Sequence, residues 1–225
     1  MKEKNTFHVN GYLGLFILLI MVLGGGGLIY LTIIKESILM GILGALLWII
    51  SGFFLSSLTI VSPNQAKAIL FFGKYLGTIK ENGLFITTPL TQKISISLKV
   101  RNFNTALLKV NDSDGNPIEI SAVVVFKVVD SAKALFAVDN YRDFVAIQSE
   151  TALRHIASQY PYDTFDAEDI TLRGNTTEVS EKLKIELEER LTIAGVEVIE
   201  TRLNHLAYAT EIASAMLQRQ QARAI

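Results

Sequence analysis

The most pronounced feature of the hydropathy pattern is a run over residues 9–61 in which the only charged residues are the adjacent Lys35 and Glu36. This pair divides the run into two apolar arms, residues 9–34 and 38–61. A helix needs about 20 apolar residues to cross a bilayer core, and backbone groups in lipid have to be bonded within their own segment. The pattern therefore predicts two membrane-inserted helices rather than a signal peptide, whose apolar core is shorter.

The two arms are joined by only three residues, 35–37, which are too few to connect parallel helices. We therefore expect an antiparallel hairpin with both chain ends on one side. Lysines favour the cytoplasmic side for those ends, because several flank the arms while the turn pairs Lys35 with Glu36. The flanking lysines are Lys2, Lys4, Lys67, Lys74 and Lys80. A shallow hairpin within one leaflet would place the ends in the same way, and both geometries stay open. The glycines at 24–27 favour either close helix contact or a weakened helix.

Beyond the arms, period-two alternation and turn-forming residues predict strands over 66–72, 75–79, 84–87, 93–101, 106–110 and 118–129. The fourth of these should bury the face that carries Ile94, Ile96, Leu98 and Val100. Residues 111–117 are rich in turn formers and predict a hairpin into the strand at 118–129. That strand is apolar on both faces, which is typical of a central strand covered by helices.

Helical periodicity follows in the last third of the chain. It predicts helices over 131–138 and 140–160, a helix that begins after Asn175 with Glu178 in a capping box, a strand over 196–208, and a final helix from Thr210. The apolar stripe of the second helix is expected at Phe144, Ile147, Ala152, Leu153 and Ile156, and that of the third at Val179, Leu183, Leu187 and Leu191. Gly195 should adopt a positive φ after the third helix. No residue closes the final helix, so we expect it to be cut short at Ile225.

These elements give an α+β fold with three predicted regions: a transmembrane helical hairpin over 1–61, a mixed sheet-and-helix domain over 62–209, and the start of a long helix over 210–225.

The composition of the chain argues against several classes of function. Residues 1–61 hold three basic and two acidic residues, which leaves 18 Lys plus Arg against 20 Asp plus Glu in the remainder. This slightly acidic balance argues against a nucleic-acid partner. The absence of cysteine excludes disulfides, thiol catalysis and thiolate zinc sites.

Candidate catalytic side chains are few. His8, His155 and His205 lack metal-ligand spacing, and no phosphate-binding glycine loop or nucleophile elbow occurs. Carboxylates cluster in a polar stretch, where solvated charge is the better interpretation; they are Asp163, Asp166, Glu168 and Asp169. We therefore expect no catalytic, cofactor or metal site. The competing hypothesis is a membrane-associated hydrolase that uses Asp163, Asp166, His155 or His205.

An ordered series of short segments resembles the SPFH domain, also called Band 7, of stomatins, prohibitins and flotillins. The series runs through Ser62-Pro63-Asn64-Gln65-Ala66, residues 71–78, Gly83-Leu84-Phe85 with Pro89, Val100-Arg101-Asn102-Phe103, residues 114–118, residues 148–155, residues 194–198 and residues 211–216. The likeness covers residues 61–225 and is strongest with a bacterial subgroup that carries a paired N-terminal hydrophobic segment.

The resemblance implies an α+β domain on the membrane surface, followed by a long helix that associates with neighbouring copies into rings or cages. It also implies a non-enzymatic, multi-pass cell-membrane scaffold that organises microdomains and binds membrane proteases. The expected partners are membrane lipid, further copies of the chain and a membrane protease. An adaptor that recruits one membrane protease is the alternative within the same family.

Overall fold

The computed structural model describes residues 3–164 and 170–223, and its chain forms two compact units that divide between Leu98 and Lys99. Both units contain strands and helices, which confirms the mixed α+β class. The predicted functional boundaries after residues 61 and 209 stay predictions.

The first unit combines two long helices with two antiparallel three-stranded sheets, ordered β1-β5-β2 and β4-β3-β6. Its elements are β1 (Val9–Asn10), α1 (Gly11–Lys35), α2 (Ile38–Ser56), β2 (Leu58–Val61), β3 (Gln65–Phe71), β4 (Lys74–Ile79), β5 (Gly83–Ile86) and β6 (Thr91–Ser97). The small core of this unit holds Val61, Ile69 and Ile79, with Leu76 and Phe85 packed against it.

The second apolar arm is shorter as a helix than its hydropathy predicts. Helix α2 ends at Ser56, and Leu58–Val61 forms strand β2 instead. Two buried contacts explain the change: Val61 enters the core of the first unit, and the Thr59 hydroxyl lies 3.0 Å from the Thr87 hydroxyl. Hydropathy alone does not separate the end of a membrane helix from an apolar strand that follows it.

The prediction of one strand over 93–101 is wrong. Strand β6 ends at Ser97, where the Leu98 amide donates to the Asn64 carbonyl (2.9 Å), and the chain resumes as a strand only at Arg101, in the second unit. Val100, predicted on the buried face, is 55% exposed. The alternation continues across the break because it records local spacing and not the identity of the pairing strand.

The second unit is built around strand β9 (Pro117–Val128), which pairs antiparallel with three others. The remaining elements are β7 (Arg101–Asn104), β8 (Leu108–Asn111), α3 (Ser131–Phe136), α4 (Tyr141–Gln159), α5 (Thr176–Leu191), β10 (Val196–Tyr208) and α6 (Thr210–Arg223). The β8–β9 pairing confirms the hairpin predicted at 111–117. One face of β9 is buried along its whole length, from Ile118 to Val128.

The helices of the second unit match their predicted starts but not every predicted face. Asn140 caps α4 by accepting from the Arg142 amide (3.0 Å), as expected. The stripe of α4 is partly wrong: Ile147 is 63% exposed, whereas Val145 and Ser149 are buried. The true stripe follows the 3.6-residue period through a serine, which a search for apolar residues passes over.

The predicted capping box at Asn175 is also wrong. Its side-chain oxygen accepts from the Thr171 amide (3.2 Å), so it closes the preceding turn and does not cap α5. Gly195 does adopt the left-handed conformation (φ 65°), and a methyl group there would lie 2.4 Å from the Asp130 carbonyl oxygen. Only glycine meets both conditions without strain.

Candidate membrane anchor

The two long helices of the first unit leave nearly all of their apolar side chains uncovered. Both are long and apolar enough to cross a membrane, and only 6% and 11% of their most apolar 18-residue stretches are buried inside the chain. A core helix of a soluble protein would bury much more. At 1.5 Å per residue, the 25 residues of α1 and the 19 of α2 span about 37 and about 28 Å, against a hydrocarbon core of about 30 Å.

The contact between the helices is formed by small residues. A methyl group on Gly25 would lie 2.4 Å from Cδ1 of Trp48 and 3.3 Å from the Gly44 carbonyl oxygen, and one on Gly44 would lie 2.9 Å from the Gly25 carbonyl oxygen. Gly26 and Gly27 have no atom within 4 Å of such a group. The glycine run thus serves close helix contact at one position, within an unbroken helix.

Trp48 ties the two helices together across this contact. Its indole Nε1 donates to the Val22 carbonyl oxygen (3.2 Å). An indole N–H surrounded by hydrocarbon has to find a partner, and a carbonyl of the neighbouring helix satisfies it. Trp48 was not singled out from the sequence, because its partner on α1 is found only in the folded hairpin.

The end of α2 is bonded by Lys93, which the alternation of the predicted 93–101 strand places on the face opposite Ile94. Lys93 Nζ donates to the carbonyl oxygens of Ser56 (2.8 Å) and Leu58 (2.7 Å). Burial, followed by the nearby Lys67 ammonium, lowers the Lys93 pKa below its usual value. A cation at a helix C-terminus is favourable because the last carbonyl groups lack intrahelical partners.

The candidate hydrolase residues that the structure describes, which are His155, Asp163 and His205, lie on separate segments of the chain. His155 on α4 contacts both carboxylate oxygens of Glu186 on α5 (3.0 Å each), and Arg190 also binds Glu186 (2.6 Å). Glu186 and Arg190, which are four residues apart on α5, therefore join α5 to α4. His205 is exposed on β10, opposite Ser121.

Asp163 is not the freely solvated carboxylate that its polar surroundings predicted. It accepts a hydrogen bond from the Tyr208 hydroxyl (2.9 Å), and the Tyr208 ring lies 4.0 Å from that of Tyr162. Burial and then this hydrogen bond raise the Tyr208 pKa well above its usual value. Asp166, Glu168 and Asp169 lie outside the described residues.

Within residues 3–164 and 170–223, no group of three or more His, Asp or Glu side chains is placed to hold a metal ion. The geometry that stands out is therefore the anchor, with its uncovered apolar helices, its glycine contact and its bonded helix end.

Known proteins resemble this chain over most of its length. The SPFH domain / Band 7 family profile matches residues 59–225. Stomatin-1 of Caenorhabditis elegans is 23% identical over 158 residues, which cover 70% of this chain and 46% of that protein. A stomatin homologue of Pyrococcus horikoshii is 30% identical over 112 residues, which cover 49% and 42% of the two chains. An uncharacterised protein of Archaeoglobus fulgidus is 25% identical over 178 residues, covering 79% and 68%.

The matched segments span less than half the length of the two stomatin relatives. The family match itself extends across both compact units and begins within β2, immediately after the hairpin. This chain belongs to the SPFH domain / Band 7 family.

Proposed function

We propose that this protein is a non-enzymatic membrane scaffold, held in the bilayer by the α1–α2 hairpin with its SPFH domain on the cytoplasmic side. The observation that carries the proposal is the hairpin itself, which exposes apolar side chains around a small-residue contact and continues directly into the SPFH domain. Family membership and these two helices support a membrane-associated, scaffold-type role, and stomatin-like relatives are generally non-enzymatic.

Copies of the protein then pack side by side on the membrane. Exposed isoleucines on the helices of the second unit support this step: Ile147 on α4 is 63% exposed and Ile185 on α5 is 59% exposed. Helix α6 extends the contact, and Lys109 on β8 forms an ion pair with Glu211 in its first turn. Weak contacts suffice in such an array because repetition raises their effective concentration. The array organises membrane microdomains and restrains a membrane protease.

Single engineered cysteines test the anchoring step cleanly, since the chain has none of its own. In intact cells, a membrane-impermeant maleimide should label Glu36→Cys at the hairpin turn but not Lys74→Cys in the domain. Labelling of Lys74→Cys alone would show the opposite orientation, with the domain outside the cell. If neither position is labelled in intact cells and only Lys74→Cys is labelled after the cells are opened, the hairpin lies within one leaflet.

Self-association is tested by particle mass in a mild detergent and in native-membrane nanodiscs. We expect assemblies well above one copy, reduced by the double change Ile147→Ser and Ile185→Ser and not by Leu107→Ser, a matched control at an exposed leucine (55%). Monomers in both media would defeat the scaffold. Crosslinking from the 163–174 segment separates the adaptor alternative, which should capture a different protein and not another copy.

Alanine substitutions test the alternative hypothesis that the protein is a membrane-associated hydrolase. Alanine at His155, Asp163, Asp166 or His205 should leave the scaffold phenotype intact if the protein is not an enzyme. Loss of a measurable hydrolysis in any of the four, with folding preserved, would favour the hydrolase.

A further inference from the structure

Strand β10 has one edge that is open to a further strand. It is the last strand in the sheet order β10-β9-β7, and among the residues that the structure describes its 13 residues pair with β9 alone. Along an antiparallel strand, alternate residues direct their N–H and C=O groups to opposite sides. The outer side of β10 therefore presents backbone donors and acceptors to which an added strand can bond.

Two bulges limit the length of this edge. The register between β10 and β9 shifts at Ile199 and again at Asn204, and neither of these residues has a directly paired residue in β9. The stretch between them, residues 200–203, is regular and about 13 Å long. Because a bulge bends the strand and interrupts pairing, the edge suits a short added segment rather than a long strand.

A groove runs along this short edge. It has a volume of about 370 Å³ and lies between β10 and the N-terminal half of α5. Its lining comprises residues 199–203 of β10 and Thr176, Thr177, Ser180, Glu181 and Lys184 of α5. Side chains of a strand alternate between two faces, so five consecutive residues line one groove only where the groove follows the edge of the strand. Strand addition to an open sheet edge is one of the recurring ways in which proteins bind extended peptides.

A hydrogen bond holds the two walls of the groove at a fixed separation. The Thr201 hydroxyl donates to the Ser180 carbonyl oxygen (2.6 Å), and Thr201 is only 5% exposed. Leu203, two residues further along β10, lies on the same face of the strand as Thr201. The helix is thus tied to the strand at the base of the groove, and the groove is already formed in the protein without a ligand.

The charged side chains that line the groove are paired with one another. Lys184 Nζ lies 3.8 Å from Glu181, and Arg202 forms an ion pair with Glu200. A ligand therefore meets the backbone edge, threonine and serine side chains of α5, and the Ile199 side chain, which is 39% exposed. A charged ligand would have to displace one of these ion pairs, and like charges brought together weaken binding. The lining therefore favours an uncharged segment.

The short edge also argues against a second copy of the chain as the occupant. Two β10 strands laid edge to edge would pair over about four residues before the bulges at Ile199 and Asn204 interrupt them. A stable interface buries about 800 Å² on each partner, far more than so short a pairing supplies. A narrow peptide instead contacts β10 and α5 together.

We propose that this groove binds a short, uncharged, extended segment of a partner protein, which adds to β10 as a further strand and packs against α5. Backbone hydrogen bonds to residues 200–203 hold the segment, while Ile199 and the hydroxyl-bearing side chains of α5 select its side chains. The proposal goes beyond the scaffold function, because neither the hairpin nor contacts between copies take part in it. It gives the domain a surface for a partner other than lipid or another copy of the chain.

The test measures binding of a synthetic peptide to the full chain in mild detergent by fluorescence anisotropy. The probe is a short peptide of alternating valine and threonine that carries a neutral fluorophore and an amidated C-terminus. Two comparison peptides have threonines replaced by aspartate or by lysine. We expect the uncharged peptide to bind about tenfold more tightly than either charged one, and to slow amide hydrogen exchange over residues 199–203 several-fold. No binding of the uncharged peptide, or tighter binding of a charged one, would overturn the proposal.

Variants of the chain locate the site. Thr177→Trp fills the groove from α5, and Ile199→Asp places a charge beside the edge, so each should weaken binding of the uncharged peptide by about tenfold. Glu189→Trp is the matched control, because Glu189 is an exposed residue of α5 outside the groove. Thermal unfolding checks that each variant is folded. Unchanged binding in Thr177→Trp and Ile199→Asp, or an equal loss in Glu189→Trp, would overturn the groove as the site.

Two further outcomes test strand addition itself. Of two peptides that are N-methylated at alternate residues, one set starting at the first residue and the other at the second, only one should lose binding, because only one set of amides faces β10. Equal binding of the two would overturn strand addition. Disulfides between copies of Arg202→Cys, with slow hydrogen exchange over residues 199–203 in the absence of peptide, would assign the edge to a second copy and overturn the peptide site.

Discussion

Helices α2 and α5 are of similar length but bury opposite kinds of residue. In α5 the buried residues are Val179, Leu183, Leu187 and Leu191. In α2 they are Gly44 and Ser51, whereas its large apolar side chains, such as Leu46 and Ile49, point outward. Water drives aliphatic side chains inward, but hydrocarbon offers them no such gain, so only close packing decides which residues face each other in the membrane. The residues that α5 buries therefore suit a helix in water, and those that α2 buries suit a helix in hydrocarbon.

The largest effect is expected from truncation of a leucine in α5. Leu187 is fully buried, so Leu187→Ala should lower the free energy of unfolding of the second unit by about 2 to 5 kcal/mol through lost burial and a residual cavity. The measurement is urea unfolding followed by hydrogen exchange of α5 peptides. Leu46→Ala in α2, where the side chain is 52% exposed, should leave this exchange unchanged. Equal effects of Leu187→Ala and Leu46→Ala on this exchange would contradict the difference in leucine burial between α5 and α2.

Enlarging a glycine should have the converse effect in the hairpin. Gly25→Ile forces a side chain into Trp48 and the Gly44 backbone, and overpacking of this kind costs about 1 to 3 kcal/mol. Trp48 is the only tryptophan, so its fluorescence, together with a spin-label distance between α1 and α2, reports the separation. Gly26→Ile is the matched control, since its site is open. If both variants behave alike, the contact at Gly25 is not what holds the helices together.

The ends of the two helices provide a third comparison. The last carbonyl group of α2 is bonded by the Lys93 side chain, whereas the short 3₁₀ turn after α5 ends at Gly195. Lys93→Met removes two charge-assisted hydrogen bonds and should destabilise the first unit by about 1 to 2 kcal/mol. Thermal unfolding in mild detergent measures the change. Lys74→Met, at an exposed lysine of the same unit, should have little effect. A smaller loss of thermal stability in Lys93→Met than in Lys74→Met would contradict a stabilising role for the two Lys93 hydrogen bonds.

The smallest effect concerns pH and the second unit alone. The Tyr208 pKa is raised in the fold, mainly by burial, above the value of about 10 expected in the unfolded chain. The folded state therefore retains its proton longer, so the stability that this group contributes is complete below pH of about 10 and falls as pH rises toward the raised pKa.

Tyr208→Phe should cost about 1 kcal/mol at neutral pH, through loss of the bond to Asp163, and should flatten the alkaline decline. Unfolding measured across the alkaline range, with phenolate absorbance as a second readout, checks both expectations. Parallel declines in the two proteins would show that another group governs the alkaline range.

The anchor was predictable because its signal is local. Two apolar arms divided by Lys35 and Glu36 determine a helical hairpin wherever hydrocarbon surrounds them, since every backbone group in such a solvent has to bond within its helix. The stripe through Leu183 and Leu187 was predictable for the same reason, because a 3.6-residue period states which side of a helix is buried. The order of motifs along the chain was enough to indicate the family before any coordinates.

Other features depend on residues that are far apart in sequence. The Asp112 carboxylate, expected only to shape a turn, also accepts from the Tyr162 amide (3.1 Å), fifty positions further along. Alternation places Lys93 on the polar face of a predicted strand, and only the folded chain brings the end of α2 beside it. Neither of these two pairings produces a periodic pattern in the sequence, so the sequence alone did not identify the partner of Asp112 or of Lys93.

The sequence by itself determined the membrane hairpin, the amphipathic helix α5 and the α+β class, because each follows from how neighbouring residues meet their solvent. Only the tertiary structure decided which glycine of four packs most closely against α2, where that helix ends, and that Lys93 bonds the carbonyl groups at its end. Those outcomes depend on the distances between segments, which local chemistry limits but does not specify.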